Sequence, residues 1–301
     1  GSWPGSKSCG SRARAARRPG RPERGHAAQP SITMTEVDNG PRRAEPALPP
    51  SAPPSGRALR SAPDGPERER LLSLPLWPLA LLAALLPAAA ALLALWLAVR
   101  AGGVPACNPF IDGCVSISRA ARHDLPNHVF RALMLPAATL QGLVWLLTAR
   151  WLRAGLGPTG GLRALAPLGL TAAVALVLYA SFLGTEGPVY RGLRQYGTVV
   201  YFGFTCLCLL LAGEGMLRLA ASRRVTLPRA LPAALTVLAG LLVALGLFNA
   251  LVAALVGEPL KERIENVTEW WGALVFVLGF TALALVWRRL GLRVTLASPP
   301  R

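Results

Sequence analysis

The sequence predicts an all-α fold, a polytopic membrane helix bundle of six transmembrane helices behind a disordered amino-terminal tail. Three observations predict it. Hydrophobic residues make up 52% of the chain and charged residues 16%, a balance too apolar for an ordinary soluble domain. The apolar residues are gathered in blocks of roughly 20, the length a helix needs to cross a ~30 Å hydrocarbon core. The first seventy residues, rich in Arg, Pro, Gly, Ala and Ser, have no apolar periodicity, so they lack the means to bury a core.

Residues 1–70 form the tail, 71–290 the membrane domain and 291–301 a short carboxy-terminal tail. The first methionine is Met34; the segment before it is strongly basic, whereas acids and arginines balance from there to Arg70. That shift predicts a native start at Met34, with residues 1–33 outside the native protein. The first apolar block is too long for a signal-peptide core and no small-residue cleavage site closely follows it. The heavy use of Ala, Arg, Gly and Pro is that of a GC-rich bacterial genome.

The expected spans are 74–99, 128–152, 165–183, 197–219, 231–256 and 270–287. Pro75, Pro78 and Pro87 fall in the first, which membrane helices tolerate better than soluble ones do. Lys and Arg near the span ends are more numerous on the side that carries both termini, which predicts an inner-membrane protein with both termini cytoplasmic. Trp77, Trp96, Trp151, Trp270, Trp271 and Trp287 lie at span ends, where interfacial anchors are expected. The net charge of +17 does not imply nucleic acid: the arginines sit in the tail and at span ends, with no nucleic-acid module between them. Flanking Arg instead fixes topology and meets anionic headgroups.

The outer connections hold the candidate binding residues. In the first, Cys107 and Cys114 are separated by a stretch containing Pro109 and Gly113; a disulfide is expected on an oxidising face, the alternative being two unpaired thiols. The Cys-x-x-Cys spacing of a redox pair is absent. The same connection carries Arg119, Arg122, His123, Asp124 and His128. Two histidines and one aspartate fall short of a metal site in fixed register, so no metal and no cofactor is expected. The arginines suit phosphate headgroups. The third connection, 257–269, is acidic, ends in Glu269, and faces the basic first connection across one surface.

Charges inside the bilayer mark ion paths or catalysis because they are costly there, and the spans hold almost none. Glu214 and Arg218, four apart, are placed to pair. Mid-span polar groups such as Gln141, Thr205 and Asn249 more often tie helices together than do chemistry. No catalytic residue stands out. Gly240, Ala244, Gly246 and Ala250 form a small-residue face suited to close helix packing.

Pro126 with Phe130 one turn into the second span, Tyr196-Gly197 leading into Val200-Tyr201-Phe202, and Glu269-Trp270-Trp271 opening the last span together resemble the six-span family of the damage-regulated autophagy modulators (DRAM) with its FRAG and SFK-type branches. The family's Ser-Asp-x-Gly and Pro-Pro-Glu elements are absent from the first connection, and the cysteine pair is an addition. The resemblance implies a six-span fold and a role linked to lipid or membrane regulation; it carries over no catalytic residue. Three functions follow as expectations. The first is a non-enzymatic membrane protein binding membrane lipids or a protein partner through its outer loops, Arg119, Arg122, His123, Asp124, His128 and Glu269 being the candidate contacts. The second is a lipid-modifying enzyme or lipid-handling factor at the outer interface, on the same residues. The third is a transporter of a small uncharged substrate.

Overall fold

The computed structural model describes residues 32–35, 72–223 and 225–296. Its order is β1 (Ile32–Thr35), β2 (Leu72–Pro75), α1 (Trp77–Arg100), α2 (Ile117–Ala120), α3 (Asp124–Leu156), α4 (Gly160–Phe182), α5 (Pro188–Ala221), α6 (Ala230–Leu255), α7 (Leu260–Arg289) and β3 (Arg293–Leu296). Six of the helices, all but α2, are long and apolar enough to cross a membrane. The protein is therefore a multi-pass membrane protein. Helices adjacent in sequence pack on one another, and α1 packs on α7, so the six close into a ring, with α3 also reaching α5.

Several helices outrun the spans expected from hydropathy. Most of 184–196 and of 257–269 is helix rather than loop: α5 begins at Pro188 and α7 at Leu260. A helix keeps its backbone bonded whether or not it leaves the hydrocarbon, so polar residues can extend a span. Pro188 supplies a preset first turn. Strand β1 also departs from expectation. Ile32–Thr35 fell inside the segment read as disordered, yet it pairs antiparallel with β3, which pairs in turn with β2. The strand order is β1-β3-β2. The start of α1 and the end of α7 are neighbours, and Leu76 N–H donates to Leu292 O at 3.0 Å, so the flanking segments are held within pairing distance. The rest of 1–70, the proposed start apart, lies outside the described residues, as do 297–301.

What faces inward is decided by volume more than by hydrophobicity. The buried residues of α1 are all alanine: Ala80, Ala83, Ala84, Ala90, Ala91, Ala94 and Ala98. Their spacing is that of one helix face. Large aromatics come from across the ring, among them Phe130, Tyr201, Trp270, Phe276 and Phe280, all buried. Trp145 on α3 stacks on Phe280 at 5.3 Å between centroids, and Gly169 on α4 lets the helices meet at Trp145. The small-residue face of α6 is a correction: Gly240, Ala244, Gly246 and Ala250 are exposed, and a Cβ at Gly240 or Gly246 would touch nothing. The helix buries Pro232, Leu235, Ala239, Leu242 and Val252 instead. The tryptophans divide. Trp96 is exposed near the end of α1 as an anchor should be, and Trp271 is exposed three turns inside α7, but Trp151, Trp270 and Trp287 are buried and pack the core.

Pro87 and Gln141 form one structural unit. Proline lacks the N–H that would bond the carbonyl four residues back, which leaves Ala83 O without a helical donor. Gln141 on α3 supplies it, Nε2 donating to Ala83 O at 3.1 Å, while its Oε1 accepts from the Tyr201 hydroxyl at 3.1 Å. One amide thus joins α1, α3 and α5. Gln141→Ala is expected to cost about 1–2 kcal/mol, since a buried carbonyl and a buried hydroxyl both lose their partner. A thermal melt in mild detergent that left the midpoint unchanged would contradict this.

Candidate functional site

The connections 101–123, 183–187 and 256–259 join at the end of the ring opposite the sheet, and α7 fastens the first of them down. Residues Arg263, Asn266 and Trp270 share a helix face at spacings of three and four. Their side chains donate to three carbonyls of the loop: Arg263 Nε to Asp112 O at 2.7 Å, Asn266 Nδ2 to Gly113 O at 2.9 Å, and Trp270 Nε1 to Val115 O at 2.9 Å. Trp271 Nε1 donates to Phe110 O at 3.1 Å. Phe110 lodges between the two indoles, its centroid 5.5 Å and 5.6 Å from theirs. Gly113 takes φ +61°, and a Cβ there would lie 2.3 Å from Arg263 O, so only glycine lets the loop lie this close. Cys107 and Cys114 are joined in a disulfide across this turn, their Cα atoms 6.6 Å apart.

The second connection is tied to the first. Asn127 Nδ2 donates to Ala121 O at 2.9 Å and to Leu183 O at 3.0 Å. Gly184, at φ +85°, lies against Arg122 O, which a Cβ would meet at 2.3 Å. Arg194 Nη1 donates to Phe182 O at 2.9 Å and also to Thr185 O. The result is a cap laced by side-chain-to-backbone bonds.

Two cavities lie beneath and beside this cap. The inner one, about 160 Å³, sits within the ring against the alanine face of α1. Ala84, Ala88 and Ala91 line one wall; Phe130, Tyr201, Trp270 and Phe276 line the other. Gln141 is its one amide. The outer cavity, about 470 Å³, is lined by Ser118, Arg122, Tyr179, Leu183, Arg191, Arg194, Gln195, Thr198 and Glu269. Tyr179, Thr198 and Glu269 line both, so the two meet at a polar neck. There Glu269 is half-buried and accepts the Ser118 N–H at 3.3 Å. Glu269, Arg122 and Arg194 are the charged neighbours of Tyr179. Polarity therefore rises along one axis, from an apolar chamber through a hydroxyl and carboxylate neck to an arginine-lined mouth.

The expected candidates separate on this geometry. Arg122 and Glu269 line the outer cavity. Arg119 does not: it makes an ion pair with Glu262 on α7, joining the basic first connection to the acidic third. Both side chains are substantially exposed, so the pair contributes ~0–1 kcal/mol. His123, Asp124 and His128 are exposed at the start of α3, with His128 Nδ1 2.8 Å from Asp124 O; none of the three lines either cavity. Among the described residues no group of three His, Cys, Asp or Glu is arranged to hold a metal. Glu214 and Arg218 pair at 2.5 Å on the surface of α5, as their spacing predicts.

Sequence reasoning missed Arg191, Arg194, Tyr179 and Thr198, and missed the chamber itself. One signal for the chamber was present: an alanine at nearly every inward position of the first span, against aromatics in the others. Scans against protein-family models, curated proteins and solved structures found no match.

Proposed function

We propose that this membrane protein binds a lipid-like amphiphile at its capped end, the apolar part in the inner chamber and the polar part in the outer cavity. The observation that carries the reading is the shared neck: an apolar space and an arginine-lined space adjoin at Tyr179, Thr198 and Glu269, which line both. An apolar cavity of about 150 Å³ admits a benzene-sized group, and the chamber is of that order, so a narrow apolar segment fits it. Of the polar groups facing the chamber, Gln141 is engaged with Ala83 and Tyr201, and Glu269 with Ser118, which favours binding over chemistry.

The test is lipid retention by native mass spectrometry after extraction in mild detergent, comparing the natural chain with Ala88→Phe, which fills the chamber. A stoichiometric amphiphile on the natural chain, reduced at least tenfold in A88F while helicity and monodispersity are kept, is the expected result. Equal retention by both, or no amphiphile beyond bulk lipid, would sink the reading.

A further inference from the structure

Resting on that reading, we infer that the amphiphile is a monoacyl glycerol phosphate: one apolar chain, a free hydroxyl at the neck, and a phosphate held by Arg122 and Arg191. Each part answers to a level of the site. The mouth carries three guanidiniums, Arg122, Arg191 and Arg194, against one carboxylate, Glu269, so an anion is favoured there. The three are not equivalent. Arg194 is committed to the carbonyls of Phe182 and Thr185 and serves to hold the turn. Arg122 and Arg191 are exposed and make no ion pair among the described residues, which leaves their donors for a ligand. Guanidinium is the side chain best matched to phosphate, giving two parallel charge-assisted bonds.

The neck argues against an anion placed deeper. Glu269 stands there with a mostly apolar lining beyond it, so an anion would meet no cation, whereas the Glu269 carboxyl can bond a neutral hydroxyl. Thr198 donates its own hydroxyl to Arg194 O at 2.9 Å, so its oxygen is presented as an acceptor as well. A hydroxyl-bearing glycerol between chain and phosphate satisfies both. The chamber beyond, about 160 Å³, has room for a segment of one chain and not for two chains side by side. A headgroup carrying a quaternary ammonium would bring a further positive charge to an already positive mouth, so a zwitterionic lipid of the same chain is disfavoured.

The experiment measures binding to the full chain in maltoside micelles, by native mass spectrometry and by ligand-induced shift of the melting midpoint. Three probes are used: 1-lauroyl glycerol 3-phosphate, 1-lauroyl glycerophosphocholine and glycerol 3-phosphate. The first is expected to bind at least tenfold more tightly than the second, and the third not to compete at equal concentration. In Arg122→Gln/Arg191→Gln the preference between the two lipids is expected to vanish while residual binding of both persists; A88F is expected to abolish both. Equal binding of the two lipids by the natural chain, or an unchanged preference in the double variant, would overturn the phosphate assignment and leave the chamber reading standing. Competition by glycerol 3-phosphate as strong as by the lipid would show a soluble phosphate ester as the ligand and overturn the lipid assignment. Absence of binding by all three, with A88F indistinguishable from the natural chain, would overturn the chamber reading itself.

Discussion

Gly169→Ala is expected to lower the melting midpoint in mild detergent by about 5–10 °C, although it adds a single methyl group. A Cβ at 169 would lie 2.2 Å from Cβ and 2.5 Å from Cγ of Trp145. Trp145 is itself fully buried and stacked on Phe280. The clash falls on the root of that side chain, which no rotamer change can move, so α4 must shift away from α3. Overpacking of this kind costs about 1–3 kcal/mol, and each kcal/mol moves the midpoint by ~2–4 °C in a chain this large. The same substitution on α6 gives the control. Gly246 meets nothing within 4 Å, so Gly246→Ala should hold or raise the midpoint, alanine being the better helix former by up to ~1 kcal/mol. If both variants melted alike, the α3–α4 contact described here would be wrong.

Trp270→Ala is expected to release the cap. Trp270 is 2% exposed, packs on Phe110 and bonds Val115 O. Truncating a buried aromatic costs about 3–5 kcal/mol, and here the loss is concentrated where α7 meets the first connection. Beyond a lower midpoint, the expected readout is faster tryptic cleavage at Arg119 and Arg122, and loss of amphiphile retention, since Trp270 also roofs the inner chamber. Trp271→Ala should act more weakly, because Trp271 is 45% exposed though it too bonds the loop. Undiminished protease resistance in the Trp270 variant would show that the disulfide alone holds the cap.

How much of this was readable beforehand follows from what hydrophobicity can and cannot encode. Six apolar blocks gave six spans, because a backbone in lipid must bond internally and only a helix of that length does so. The same scale is blind to which side of a span faces protein, since lipid tails are as apolar as leucine. For that reason the small residues of α6 looked like a packing face and are exposed, while the alanines of α1, which line the chamber, looked like any other apolar run. The tryptophans show the same blindness: position at a span end put Trp151, Trp270 and Trp287 at the interface, and packing buries them. Arg122 and Glu269 could be singled out because charge at a span end is visible in one dimension. Arg191 and Arg194 could not, because they sat in what read as a loop. Only once α5 is seen to begin at Pro188 do they stand one turn apart beside Thr198. Strand β1 was hidden for a related reason, as four residues have no period of their own and its partner β3 lies at the far end of the chain.

The bond from Gln141 to Ala83 O has a consequence for how this chain can change. It exists because Pro87 withholds an amide hydrogen, so an alanine at 87 would restore the helical donor and leave the glutamine side chain competing for an occupied acceptor. Losing the glutamine while keeping the proline strands the carbonyl. The cost of losing the glutamine therefore depends on residue 87: with proline there it strands both Ala83 O and the Tyr201 hydroxyl, with alanine there only the hydroxyl, which is epistasis across two helices. Positions 87 and 141 should therefore drift in a coupled way, and a mutational scan that treated them separately would overstate how much of the intolerance at 141 belongs to the glutamine itself.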